Sequence, residues 1–303
     1  MGLFQQYKAS LKVIEIEEIM DLILYRPFAF IFVKATYSTN ITPNQVSSIA
    51  MLFGVIAGIL FGFGTKDYVL AAAGFYLVCN ILDCADGQIA RLKNNGTKVG
   101  RIVDGFIDYV VSFAVYVGIG VGLTGLQCSG VLHLQGNVFD LNPYVYIWLI
   151  TALAGFSSAL QAILLDFFRN KFLEIVFGKF SSLETELKEF EDEKQRISQP
   201  GVKKGLFDNF LIRVYLRYTR FQLSLQARKK DTGSKPAVEA KAYYRKNRLL
   251  MHLWSYIGST THLTICIICA LYNNMELFLL ICILPLNFLM LSLYFVHHIV
   301  NKE

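Results

Sequence analysis

Residues 83–108 read DCADGQIARLKNNGTKVGRIVDGFID, and both ends of this run sit in apolar stretches long enough to cross a bilayer, at roughly 68–92 and 99–123. The run carries four aspartates: Asp83, Asp86, Asp104 and Asp108. A carboxylate in or beside hydrocarbon is costly unless it meets a cation or water. With Lys93 and Lys98 in the linker, Arg91 and Arg101 are the nearby cationic side chains, and two arginines do not neutralise four carboxylates. A bound metal is the expected counter-charge; the competing reading is a buried ion-pair network that only organises helices.

Spacing sharpens the expectation. On a helix, Asp83, Asp86, Gly87 and Ala90 recur at i, i+3, i+4 and i+7, which is one face. Gly100, Asp104 and Asp108 recur at i, i+4 and i+8, again one face. Asn94, Asn95 and Gly96 turn easily between them. Two antiparallel helices can thus aim two carboxylates each at one centre. Oxygen ligands without His or Cys favour a hard cation, Mg²⁺ or Mn²⁺. Gly87 and Gly100 carry no side chain on those faces, so a ligand or a helix can come close.

Further spans are expected at roughly 44–64, 144–168, 249–272 and 276–298, each near the ~20 residues a bilayer needs. The 303 residues are 54% hydrophobic and 17% charged, which excludes an ordinary soluble domain and gives no sign of nucleic-acid binding. The expected fold is all-α and polytopic, with six transmembrane helices, an N-terminal interfacial helix and a helical cytoplasmic insert. Its parts are residues 1–42, the first four spans at 43–171, an insert at 172–247 and the last two spans at 248–303. With the N-terminus inside, the outer loops hold one basic residue, Lys66. The positive-inside rule then puts the linker between the acidic helices on the cytoplasmic side.

Within the first part, IEIEEIMDLILYRPFAFIFVK (14–34) begins with acids and turns apolar, as an interfacial helix does, and Arg26-Pro27 predicts a bend. Pro43-Asn44 opens the first span, because Pro suits a first helical turn. The start MGLFQQ has Gln6 where a myristoylation motif has Ser or Thr, so no lipid anchor is expected. In the insert, Ser181 and Glu184 read as a capping box before an acidic helix at 182–197. Pro200-Gly201 breaks it. Residues 206–230 form a basic amphipathic pattern with Arg213, Arg217 and Arg220 on one face, and 231–239 reads as a link. Cys79, Cys84, Cys266, Cys269 and Cys282 fall in spans, where small packing residues are the expectation rather than a metal pair.

The run 83–108 resembles the signature of the CDP-alcohol phosphotransferases, D-x2-D-G-x2-A-R-x8-G-x3-D-x3-D. Asp83, Asp86, Gly87, Ala90, Arg91, Gly100, Asp104 and Asp108 fill all eight fixed positions at the family spacing. The opening ITPNQVSS (41–48) is similar to the family as well, and the longer stretch YRPFAFIFVK (25–34) to TNITPNQVSS (39–48) resembles members that handle inositol phosphate or other polar CDP-alcohols. The resemblance implies transfer of a phospho-alcohol or phosphatidyl group from a CDP-alcohol to an acceptor hydroxyl, with release of CMP, in phospholipid or polar-lipid biosynthesis. The donor is CDP-diacylglycerol or a CDP-linked polar alcohol. It implies two Mg²⁺ or Mn²⁺ ions on Asp83, Asp86, Asp104 and Asp108, with Asp108 also the general base. Gly87, Ala90, Arg91 and Gly100, with Asn44, would line the nucleotide pocket. A homodimer through membrane helices is the family habit; Gly118, Gly120 and Gly122 permit close helix contact, either there or within one subunit.

Outside the motif, Arg169 and Lys171 end the fourth span and either grip an acceptor phosphate or simply anchor the helix. Thr261 and His262, in the cluster Ser259 to His262, either contact acceptor hydroxyls or bond between helices. His297 and His298 read as interfacial. Asn287, after Pro285, is placed to satisfy a kinked backbone. The alternative function is an intramembrane cation or proton transporter that uses the acids as its ion site.

Overall fold

The computed structural model describes residues 2–11, 16–96, 98–132, 141–177, 191, 216 and 237–301, with backbone only at 98, 99, 101, 102 and 237–239. The expected capping box at 181–184, the acidic helix at 182–197, its Pro200-Gly201 break, the basic helix at 206–230 and the side chain of Arg101 lie outside the described residues.

Among the described residues the chain is helical throughout, with no strand. Helix α1 is Leu3–Ser10; a π-helical turn, Asp21–Tyr25, runs straight into α2, Arg26–Thr36. Where a bend was expected at Arg26-Pro27, the irregularity precedes the proline. Pro27 offers no N–H and crowds the carbonyl one turn back, and a widened turn there relieves both.

The expected first three spans are α3 (Pro43–Phe61), α4 (Lys66–Lys93) and α5 (Lys98–Cys128). Thr42 caps α3 in a capping box: the Gln45 N–H donates to Thr42 Oγ1 at 3.4 Å, and the Thr42 N–H to Gln45 Oε1 at 3.0 Å. Glycines set the distance between α3 and α5. A Cβ on Gly118 would lie 1.9 Å from the Gly58 carbonyl oxygen, and one on Gly122 2.2 Å from that of Phe61. Gly120 instead faces Trp148 and Thr151, on the helix that follows α5. All three glycines are therefore used inside one subunit. Gly54 is where three helices meet, since a Cβ there would press Val111 of α5 at 2.5 Å and Cys79 of α4 at 3.0 Å. Burial replaces a side chain with backbone contact at these points, the usual way membrane helices approach.

Helix α6 is Pro143–Phe177. At 1.5 Å per residue it is about 50 Å long, beyond the ~30 Å of a hydrocarbon core. It does not stop at 168 as expected, because Phe172 is fully buried and packs on Tyr243 and Tyr244. Those two residues belong to α7, Ala237–Trp254, which starts inside the stretch read as a link. The ends of the expected insert, 172–177 and 237–247, are thus continuations of membrane helices.

The fifth span is broken. A 3₁₀ turn, Ser255–Ile257, and Gly258 separate α7 from α8, Ser259–Leu271, with a bend of 42°. Helices α9 (Met275–Ile283) and α10 (Pro285–Val300) complete the chain and together have span length. Asn287 Nδ2 donates to the Ile283 carbonyl at 2.9 Å, as expected beside Pro285. Among the described residues, five helices are long and apolar enough to cross a membrane, and six with the bent pair counted as one span. The five cysteines assigned to spans are buried and unpaired by disulfides, and Cys128 is exposed at the end of α5. His297 is buried, with its ring centroid 4.2 Å from that of Phe168.

Candidate metal and nucleotide centre

Asp83 and Asp86 lie in the second half of α4, and Asp104 and Asp108 in the first turns of α5. Helix α4 ends because Asn94 adopts a left-handed conformation, φ 49°, which Asn tolerates. Lys93 fixes that end by donating to the carbonyls of Thr39 at 2.8 Å and Ile41 at 3.1 Å.

Three carboxylates converge. Oxygens of Asp83, Asp86 and Asp104 all lie within 4.8 Å of one another. Asp86 is buried, while Asp83 and Asp104 are half-buried. Asp108, one turn further along α5, is exposed and stands outside this trio. Three anions this close repel strongly in a low-dielectric setting, and a hard cation relieves the repulsion. The donor set therefore fits a divalent metal.

Sequence reasoning missed Ser47. It lies in α3, one turn after Pro43, and its hydroxyl contacts Asp86 Oδ2 at 2.5 Å and the Pro43 carbonyl at 3.1 Å. Such a contact orients a metal-binding carboxylate. The helical spacing of Ser47 from the Pro43 start was readable; its partner on another helix was not.

The other motif residues frame the trio. A Cβ on Gly87 would sit 3.3 Å from Arg91 Nη2, so the guanidinium lies over that face of α4. Arg91 Nε donates to the Ser10 carbonyl. Ala90 is half-buried, as is Gly100 in the first turn of α5, and Asn44 is exposed at the head of α3, where its carbonyl accepts from Ser48. Gln88, fully buried, donates to the Arg26 carbonyl at 3.1 Å.

Remote candidates divide differently. Arg169 contacts Asp166 at 3.1 Å and Glu18 at 3.7 Å, and Lys171 is exposed. His262 has a neighbour on each ring nitrogen: the Gly258 carbonyl at 2.7 Å and Gln161 Oε1 at 2.6 Å. Gln161 Nε2 donates onward to Asn287 at 2.7 Å, and Asn287 to Ser157 at 2.8 Å. Thr261 donates to the Ser255 carbonyl at 3.3 Å. His262 thus bonds between helices, and Thr261 ties down the break ahead of α8.

Residues 40–170 match the sequence model of the CDP-alcohol phosphatidyltransferase family. The matched segment runs from just before α3 into α6 and contains all eight motif positions. The resemblance carried by residues 83–108 is thereby borne out. Comparison with curated proteins gives no match. The family matched over 40–170 is one of CDP-alcohol phosphatidyl transfer, and the chain that carries this segment has helices long and apolar enough to cross a membrane.

Proposed function

We propose that this protein transfers a phospho-alcohol or phosphatidyl group from a CDP-alcohol to an acceptor hydroxyl and releases CMP, in the synthesis of a phospholipid or polar lipid. The convergence of Asp83, Asp86 and Asp104 at the motif positions carries the reading. These three, with Asp108 beside them, would hold Mg²⁺ or Mn²⁺. The bound ions supply charge neutralisation on the donor diphosphate.

The chain's own residues do the rest. Ser47 holds Asp86 in one rotamer. Arg91, above Gly87, pairs with a donor phosphate and leaves room for the cytidine against Gly87 and Ala90. Asp108 is exposed and so reaches an acceptor hydroxyl, whose proton it takes as the oxygen attacks the phosphorus distal to cytidine. The phosphoanhydride bond breaks, and CMP departs with the bridging oxygen. Lys and Arg distribution supports a cytoplasmic face for this centre. Asp83 and Asp86 stand in the C-terminal half of α4, and Asp104 and Asp108 in the N-terminal half of α5; acids grouped toward one side fit transfer better than an ion path across the bilayer.

The test is CMP release by the protein in nanodiscs. CDP-diacylglycerol and CDP-linked inositol, glycerol, choline and ethanolamine are each offered with a panel of acceptors carrying ¹⁸O in the hydroxyl. Transfer leaves the label in the product phosphodiester and none in CMP. Absence of both CMP release and CDP-alcohol binding overturns the reading in favour of an ion site.

A further inference from the structure

The N-terminal segment, which lies outside the family motif, is tied to both halves of the bundle. Toward α4, Ser10 accepts from Arg91, the Arg26 carbonyl from Gln88, and Asp21 Oδ1 from Cys84 Sγ at 3.6 Å. Cys84, Gln88 and Arg91 recur at i, i+4 and i+7, a face flanking the one that holds Asp83, Asp86, Gly87 and Ala90. Toward the other half, the tie is Glu18. Its carboxylate is buried, accepts from the Thr260 N–H at 3.0 Å and lies 3.7 Å from Arg169.

Gly258 shows how specific this seat is. Its backbone, φ −76° and ψ 169°, suits any L residue, so conformation does not call for glycine. A Cβ there would lie 2.2 Å from Glu18 Cδ and Oε2. Glycine at 258 is needed for the carboxylate. Helix α8 has no side-chain cap from its own Gly258, and an acid 242 residues away in sequence takes the orphan N–H.

We propose that Glu18 is a positioning residue for the acidic centre: seated in the notch left by Gly258, it clamps the N-terminal segment across α4 and so fixes Arg91 through Ser10. Without the clamp the segment lifts from the helix break, Ser10 leaves Arg91, and the guanidinium loses its aim over Gly87. Arg91 as a donor-phosphate group rests on the function proposed above; the clamp itself does not.

Backbone hydrogen exchange of the full chain in nanodiscs tests it, with Glu18→Ala, Gly258→Ala, the double variant and Glu18→Gln. Loss of a helix cap predicts about fivefold or greater acceleration at residues 16–25 for either single Ala variant. The double variant exchanges no faster than Glu18→Ala, since the added Cβ then meets no carboxylate. Glu18→Gln keeps an acceptor oxygen and stays near wild type. In the transfer assay, Glu18→Ala raises KM for the CDP-alcohol several-fold with kcat little changed, and Gln restores it. Wild-type exchange in Glu18→Ala, or single effects that multiply in the double variant, overturns the clamp. If Gly258→Ala does not fold, Glu18→Ala against Glu18→Gln decides it alone. A protein that releases no CMP from any donor refutes the transfer reading only; exchange still judges the clamp.

Discussion

Asp86 is the buried member of the acidic trio, and Ser47 is the hydroxyl that holds it. Removing such a partner from a metal-binding carboxylate typically costs about 10–100-fold in metal affinity. Ser47→Ala is therefore expected to shift the Mn²⁺ concentration for half-maximal CMP release upward by about that factor, with little loss at saturating metal. An unchanged metal requirement would remove Ser47 from the centre. Glu18 makes a second residue-scale prediction. Its pKa is raised from its usual 4.5 to about 7, by burial first and then by Asp21, against the opposing pull of Arg169 and Thr260. Asp21 is raised as well, again by burial first. The groups around Glu18 are Asp21 on its own segment, Arg169 with its partner Asp166 on α6, and Thr260 on α8. A raised acid binds its proton more tightly when docked. The contribution to docking is thus full below pH 4.5 and lost as pH rises through about 7. Protection of residues 16–25, corrected for intrinsic exchange, should fall as pH rises through that range in wild type and much less in Glu18→Gln. The motif aspartates were legible because fixed spacing and the cost of charge in hydrocarbon both act locally. Ser47 and Glu18 were not, because each is defined by a partner on another helix. Glu17 and Glu18 read as the polar edge of an interfacial helix, yet Glu17 is buried against Arg26 at 2.5 Å and Glu18 under α8.

Between elements, backbone contact at small residues decides where the acids stand. Gly118 against Gly58, and Gly54 against Val111, set the approach of α5 to α3, and through it the place of Asp104 beside Asp86. Even a methyl at 118 would meet a carbonyl oxygen at 1.9 Å, which no rotamer change relieves. Overpacking of this kind costs about 1–3 kcal/mol, so Gly118→Ala should lower the thermal midpoint in detergent and reduce CMP release. Gly125→Ala, where a Cβ meets nothing within 4 Å, should leave both unchanged. Equal stability of the two variants would show that the α3–α5 contact is looser than described. The spans themselves were readable from apolar length. The extension of α6 to Phe177 was not, since it depends on Phe172 meeting Tyr243 and Tyr244 across a gap in sequence. Nor was the break at Gly258, which lies in a stretch of unbroken span length and follows from the seating of Glu18.

At the scale of the molecule, two apolar clusters divide the bundle. One is built on α3, α4, α5, α8, α9 and the first half of α6, with the acids at its edge; the other joins the far ends of α6 and α7 to α10 around Phe168, Phe172 and Trp254. The N-terminal segment contributes to both, Tyr25 and Ala29 to the first and Ile16 to the second. The family match covers residues 40–170, which hold the acids and Ser47, while Glu18 and Gly258 lie outside it. The chemistry is thus expected to follow the matched segment. The most direct measurement is CMP release by protein stripped with EDTA, then given Mg²⁺ or Mn²⁺, in wild type, Asp86→Asn and Asp108→Asn. Release that returns with metal in wild type, stays absent in Asp86→Asn and falls by about 10²-fold or more in Asp108→Asn is the predicted result. Release that persists in EDTA, or survives in Asp86→Asn, would contradict a metal-assisted transfer at this centre.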